Sequence, residues 1–219
     1  MLNTLRDDAL QDERIPYHYA ALYLKMGDLD KAESEVQKAI LLNRSFIDAH
    51  LLLSNIMIDK GARLKAMLPL YYYLLYNSNH DDDVQAVQQL CSLWKSSSGR
   101  MIDYLRKPII ANDLYGDAER QIKTISTNDS ISTAEGVEAI KILLRSTCRL
   151  FEFLKMKSGD NFDFYQLVYL DFFIELHTKG YVEPFVYFIS DGQWHAQVLE
   201  WIAGNGQKFN EFRVWMESR

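Results

Sequence analysis

Gly27-Asp28-Leu29-Asp30-Lys31-Ala32 and Gly61-Ala62-Arg63-Leu64-Lys65-Ala66 stand 34 residues apart, and the apolar pattern around them keeps one register. A period of this length with small residues at fixed offsets is the signature of helical hairpins stacked side by side. Each glycine ends a first helix in the left-handed conformation that costs glycine little. Working outward, Tyr19, Ala20 and Tyr23 precede the first glycine, and Ala32, Val36, Ala39 and Ile40 follow it. Leu53, Ser54 and Met57, then Ala66, Leu70, Tyr73 and Leu74, occupy the corresponding positions around the second. Within each helix these spacings define one buried face. The pairs Ala20/Ser54 and Ala32/Ala66 mark helix crossings where only a small side chain allows close approach.

The pattern resembles the tetratricopeptide repeat, over units 13–46 and 47–80, with a degenerate third unit from 81. Three features depart from that family. Pro16 and His50 stand where it has Trp, Arg44 and Ser78 where it closes with Pro, and Tyr73 where Ala is usual. Pro69 removes a backbone donor inside its helix and is expected to kink it. In the third unit Val84, Val87 and Cys91 are in phase, behind Asp81-Asp82-Asp83 at a helix N-terminus. The register fails after Trp94, at Lys95-Ser96-Ser97-Ser98-Gly99. A helix over 101–110, broken at Pro108, and another over 114–126 are expected to follow.

Thr127-Asn128-Asp129-Ser130 divides the chain into a repeat array, 1–126, and an aromatic-rich helical region, 127–219. Ser132 or Thr133 can cap a long helix reaching Lys157, with Val137, Ile140, Leu144, Cys148 and Phe151 aligned. A helix apolar on most sides is expected from Phe162 to Leu176. Three shorter ones are expected at 182–190, 193–203 and 206–217, carrying Phe185/Phe188, Trp194/Trp201 and Phe209/Phe212/Trp215. From Gly180 onward, Gly180-Tyr181-Val182-Glu183-Pro184-Phe185, Trp201 and Phe212–Trp215 are similar to the tail of a group of uncharacterised bacterial tetratricopeptide proteins. That likeness implies no function. The expected fold is therefore all-α, an α-solenoid of tetratricopeptide-like hairpins continuing into an irregular helical bundle.

Composition narrows the functional classes. The 219-residue chain has a net charge of −6 with its basic residues scattered, which disfavours nucleic acid and anionic membrane surfaces as partners. No apolar window is long enough to span a bilayer. The first residues lack a basic stretch followed by an apolar one, so a signal peptide is not expected and a cytoplasmic location is. Cys91 and Cys148 fall in apolar helical patterns and are expected as free thiols rather than a disulfide.

No constellation for catalysis, cofactor or metal stands out. The five histidines have no ligand spacing, and His50 and His195 are expected to pack. His80-Asp81-Asp82-Asp83 fits a solvated helix cap better than a cation site. Gly204-Asn205-Gly206-Gln207-Lys208 lacks the glycine spacing and preceding strand of a phosphate loop, and is expected to be a turn. The candidate surface is the groove formed by the first helices of the units. Its residues are Tyr17, His18, Ala21, Leu24 and Lys25, then Leu51, Leu52, Asn55, Ile58 and Asp59, extended by Gln85 and Gln89. Such a groove suits an apolar peptide or helix of another protein, unless the chain's own N-terminal segment or second half fills it. Chaperone-binding tetratricopeptide domains use Lys and Asn where this chain has Tyr17 and Ala21, so that ligand is disfavoured. The expected function is non-catalytic protein–protein interaction. The alternative is a small-molecule or lipid-fragment binding module in the aromatic-rich region.

Overall fold

A computed structural model describes residues 12–77, 80–95, 113–128, 134–157, 159 and 163–219. Ten α-helices form among them, packed in neighbouring pairs, and no strand is present among them. They are α1 (Arg14–Met26), α2 (Leu29–Leu42), α3 (Ile47–Asp59), α4 (Arg63–Tyr76), α5 (His80–Trp94), α6 (Leu114–Asn128), α7 (Gly136–Lys157), α8 (Asp171–Thr178), α9 (Val182–Ile189) and α10 (Asp191–Glu217). A π turn, Gln166–Leu170, leads directly into α8, and the Asp171 amide donates to the Gln166 carbonyl. The expected helix over 101–110, the capping residues Ser132 and Thr133, and the start of the expected helix at Phe162 lie outside the described residues.

The first two hairpins close in the same way. Gly27 has φ 77° and Gly61 φ 72°, the left-handed conformation that only glycine adopts cheaply. Around the first glycine the Asp28 amide donates to the Tyr23 carbonyl and the Gly27 amide to Leu24. Around the second, Ala62 donates to Met57 and Gly61 to Ile58. These bonds occupy carbonyls that a helix end otherwise leaves without donors. Ala20, Ala32, Ser54 and Ala66 are all fully buried at the crossings.

The first helix departs from expectation at Tyr19, which is 52% exposed while Pro16 and Ala20 are buried. The axis of α1 is turned so that its small residues face α2, leaving Tyr19 on the outer side. The third unit departs as well. Gln88, 34 residues beyond Ser54, is exposed and bonds Gln193 at 3.1 Å. The buried side of α5 is Ala86, Val87, Leu90, Leu93 and Trp94, with Val84 and Cys91 only half-buried, because α5 packs against α10 as well as α4.

Helix α4 is the hub. It packs against α3, α5, α6, α9 and the π turn, and every residue from Ala66 to Leu75 except Tyr72 is buried. The helix continues through Pro69 to Tyr76. In the first hairpin Asp28 caps its own helix, accepting the Lys31 amide at 3.2 Å. Ala62 can offer α4 no such cap. Glu119 of α6 supplies one instead, accepting the Leu64 amide at 2.7 Å.

In the second half, α7 buries Ala139, Ile140, Ile142, Leu143, Ser146, Thr147, Leu150, Phe151 and Leu154. This side is rotated from the expected line, with Val137 exposed, because α7 serves α6, α8 and α9 together. The two helices expected after 193 form one run, α10, with non-helical backbone at Trp194 (φ −134°, ψ 48°) and Asn205 (φ −130°, ψ 26°). The Gly204–Lys208 segment is thus a kink within α10. His195 is exposed, its Nδ1 2.8 Å from Asp191 Oδ1, and does not pack as expected. Cys91 and Cys148 are free thiols.

Candidate binding groove

The side of α3 opposite its crossing with α4 carries Leu51, Leu52, Asn55, Ile58 and Asp59. Asn55 and Asp59 are exposed, and Leu51, Leu52 and Ile58 are half-buried, resting their inner edges on the core. On α1, Tyr17, Ala21 and Leu24 are half-buried while His18 and Lys25 are exposed. Tyr17 leans on Phe46 at 4.9 Å between ring centroids, which fixes it beside the entry to α3. Burial, reinforced by the negative charge of Asp48, raises the Tyr17 phenol above its ordinary pKa. Gln89 of α5 donates from Nε2 to Asn55 Oδ1 at 2.8 Å, joining two positions 34 residues apart. Gln85, one turn earlier, is exposed.

The second half lies on a different side of the hairpins. The principal neighbours of α3 are α2 and α4, whereas α9 and the π turn of the second half meet α4. The link nearest the groove is His50, fully buried on the inner side of α3. Its Nε2–H donates to the Arg44 carbonyl at 2.9 Å, which leaves Nδ1 as the acceptor for the Tyr169 hydroxyl at 2.7 Å. Its ring stacks on Tyr72 at 4.4 Å. Burial holds the imidazole neutral, with its pKa pushed down to about 4. The expectation that His50 packs holds, and its two hydrogen bonds to the π turn and the α2–α3 connection were not legible from sequence.

A second seam joins α2 and α4 to the second half. Lys65 Nζ lies 4.5 Å from the Tyr115 ring centre and 4.8 Å from that of Tyr165. The Tyr165 hydroxyl donates to Glu33 at 3.2 Å, and Glu33 also meets Lys60 at 2.6 Å. These contacts hold the hairpins and the bundle in fixed relation.

The bundle has a pocket of its own. About 220 Å³ opens between the end of α4, α9 and α10, walled by Leu75, Tyr76, Phe188, Phe212 and Met216, with Arg213 and Glu217 at its rim. Arg213 is 3.4 Å from Glu217, so the rim charges compensate each other. Its volume suits one large side chain or a fragment, below the roughly 300 Å³ at which ordinary ligand pockets begin.

Among the described residues no group of three or more His, Cys, Asp or Glu is placed to hold a metal ion. The side chains of Asp81, Asp82 and Asp83 lie outside that description. Burial pushes the Cys91 thiol up to about 11, against the opposing charge of Lys95, so it is poorly poised as a nucleophile. No helix among the described residues is long and apolar enough to cross a membrane.

Comparison with known protein families finds no match to this chain, and comparisons with curated proteins and with solved structures find none either.

Proposed function

We propose that this chain is a non-catalytic protein-interaction module of the tetratricopeptide type, holding a peptide or helix of another protein on the first-helix side of its hairpins. The observation that carries this reading is the position of the second half. It packs on α4, while Leu51, Leu52 and Ile58 keep part of their apolar surface outward beside the exposed Asn55 and Asp59. A partner that completed the burial of these three side chains would gain about 25 cal/mol for each Å² removed from water. The Asn55–Gln89 bond holds the polar edge of that surface in place and costs little to rearrange, since each amide has further donors and acceptors to offer.

The test is the double substitution Leu52→Glu with Asn55→Glu. Glu at 55 can still accept from Gln89, so the change acts on the outer surface and not on the link to α5. Capture of a partner from native lysate should be lost while the helical signal and melting temperature stay close to those of the wild type. Retained capture by a folded double variant would reject the groove as the binding surface.

The second reading, a small-molecule or lipid-fragment site in the aromatic-rich region, is favoured by the pocket beside Phe188 and Phe212. A ligand retained through purification and released on denaturation would favour it. We rank it second because the pocket is small and its rim charges are already paired.

A further inference from the structure

Helix α1 packs on α2 and reaches α3, and its far side carries Ile15, Tyr19, Leu22 and Met26. Their spacing, i, i+4, i+7 and i+11, sets them in one line, and they are between 42% and 68% exposed. Scattered exposed apolar residues are ordinary, whereas four large ones in a row mark an interaction surface. Stacked repeats need a polar outer face at each end of the stack, and α1 does not offer one.

The 34-residue period shows what such a line is for. Advanced by 34 positions, Ile15, Tyr19, Leu22 and Met26 become Ala49, Leu53 and Ile56 of α3 and Lys60 at its end. Ala49, Leu53 and Ile56 are fully buried. Lys60 identifies what lies over them, because its ammonium is 2.5 Å from Asp30 Oδ1 and 2.6 Å from Glu33 Oε2, both on α2. The second helix of one hairpin thus covers this line on the first helix of the next. On α1 the line stays bare, since no helix precedes it among the described residues.

A second copy of this chain has no free helix of that kind to offer. Its α2 already covers α3, and its α4 is enclosed by α5, α6, α9 and the π turn. Direct pairing of two α1 helices brings like charges together. No acidic residue lies in α1, His18 and Lys25 run along the groove side of the line, and Lys31 sits over Tyr23 on the other side. Paired antiparallel, His18 and Lys25 of one copy face those of the other; paired parallel, they face Lys31.

We infer that α1 binds an amphipathic helix of another protein that is patterned like α2. Its apolar line has small and branched side chains, as Ala32, Val36 and Ile40 do. Carboxylates border that line and meet Lys25, the exposed cation beside Met26, as Asp30 and Glu33 meet Lys60. This face is separate from the groove, so either can fail without the other.

The probe is a synthetic peptide with the sequence of residues 28–43. It is cross-linked between positions 34 and 38, both exposed on α2, because so short a helix is marginal alone. The peptide should bind the full chain saturably. Tyr19→Glu with Leu22→Glu should weaken binding tenfold or more while the helical signal and melting temperature hold, since both side chains are exposed. The groove variant, Leu52→Glu with Asn55→Glu, should bind the peptide as the wild type does. Charge reversal is the second measurement. Asp30→Lys with Glu33→Lys in the peptide should weaken binding several-fold, and Lys25→Glu in the full chain should recover it. Absence of binding overturns the inference. Equal binding to the Tyr19/Leu22 variant does so too, because the peptide would then be displacing α2 rather than covering α1. Equal binding of both peptides to both chains overturns it as well. A full chain that sediments as a dimer, and as a monomer with Leu22→Glu, would assign the line to a second copy and overturn it.

Discussion

Tyr71 is fully buried, yet its hydroxyl is fully used. It accepts from Trp94 Nε1 at 3.2 Å and lies 2.8 Å from Thr147 Oγ1, to which it can give its own proton. Its ring meets those of Phe151, Phe173 and Phe185 at 5.6–5.8 Å. One side chain thereby ties α4 to α5, α7, α8 and α9. Tyr71→Phe keeps the ring contacts but leaves the Trp94 donor and the Thr147 hydroxyl buried without this partner. A loss of about 1–3 kcal/mol in chemical denaturation is expected, and a loss well below that range would show that other groups take over.

His50 and Glu119 give stability a pH dependence of opposite sign. The folded chain holds His50 neutral until about pH 4, while the unfolded chain takes up that proton near 6.5. Its contribution is complete above pH 6.5 and is lost as pH falls toward 4, by roughly 2–4 kcal/mol. Glu119 is buried beside Arg63, and burial raises its carboxyl pKa against the pull of the Leu64 amide and Arg63. The folded chain therefore binds that proton before the unfolded chain does, and this term gains stability as pH falls toward the ordinary carboxylate range. The two effects oppose each other in mildly acid solution. His50→Gln should flatten the acid-side loss and Glu119→Gln should steepen it. Unfolding curves of both variants at pH 4.5 and 7.5 read the difference directly, and parallel profiles for all three proteins would refute the assignment.

At the scale of the element, the glycine spacing made α1 to α4 legible, because a helix stop followed by small residues at a crossing is local chemistry. The small residues also yield a graded prediction. Ala32→Leu and Ala66→Leu both overfill a crossing, at a cost of about 1–3 kcal/mol each. Ala66 lies on α4, where the packing has no free side to yield toward, so its variant should be the less stable of the two. Equal melting temperatures for Ala66→Leu and wild type would remove the reading of that crossing. What could not be read locally was rotation about a helix axis. The outward turn of Tyr19, the shifted buried side of α5 and the rotated side of α7 depend on neighbours distant in sequence. The same holds for Glu119, which caps α4 from 55 residues away. The run Met67-Leu68-Pro69-Leu70-Tyr71-Tyr72-Tyr73-Leu74-Leu75 did contain a usable signal, since a helix apolar all round is one that is buried all round.

At the scale of the molecule, the buried apolar residues among those described, Ala139 apart, form one cluster from Ala20 to Trp215. The exposure of Asn55 and Asp59 and the half-burial of Leu51, Leu52 and Ile58 were legible because these residues are what remains of α3 after its core side is assigned. The pocket between α4, α9 and α10 was not, since it depends on how α10 returns to the end of α4. The encasement of α4 also sets a timescale. A backbone amide trades its proton for deuterium only when its hydrogen bond opens to solvent, and α4 has no exposed side from which to open locally. Deuterium should therefore enter Leu70 to Leu75 at the rate of global unfolding, tracking total stability across denaturant. The amides of α1, at the rim, should exchange through small openings that denaturant barely affects. If α4 exchanged as readily as α1, the hairpins would be opening apart from the bundle; if it is slowest of all, helices from both ends of the chain protect one central strand of protons and register its unfolding as a single event.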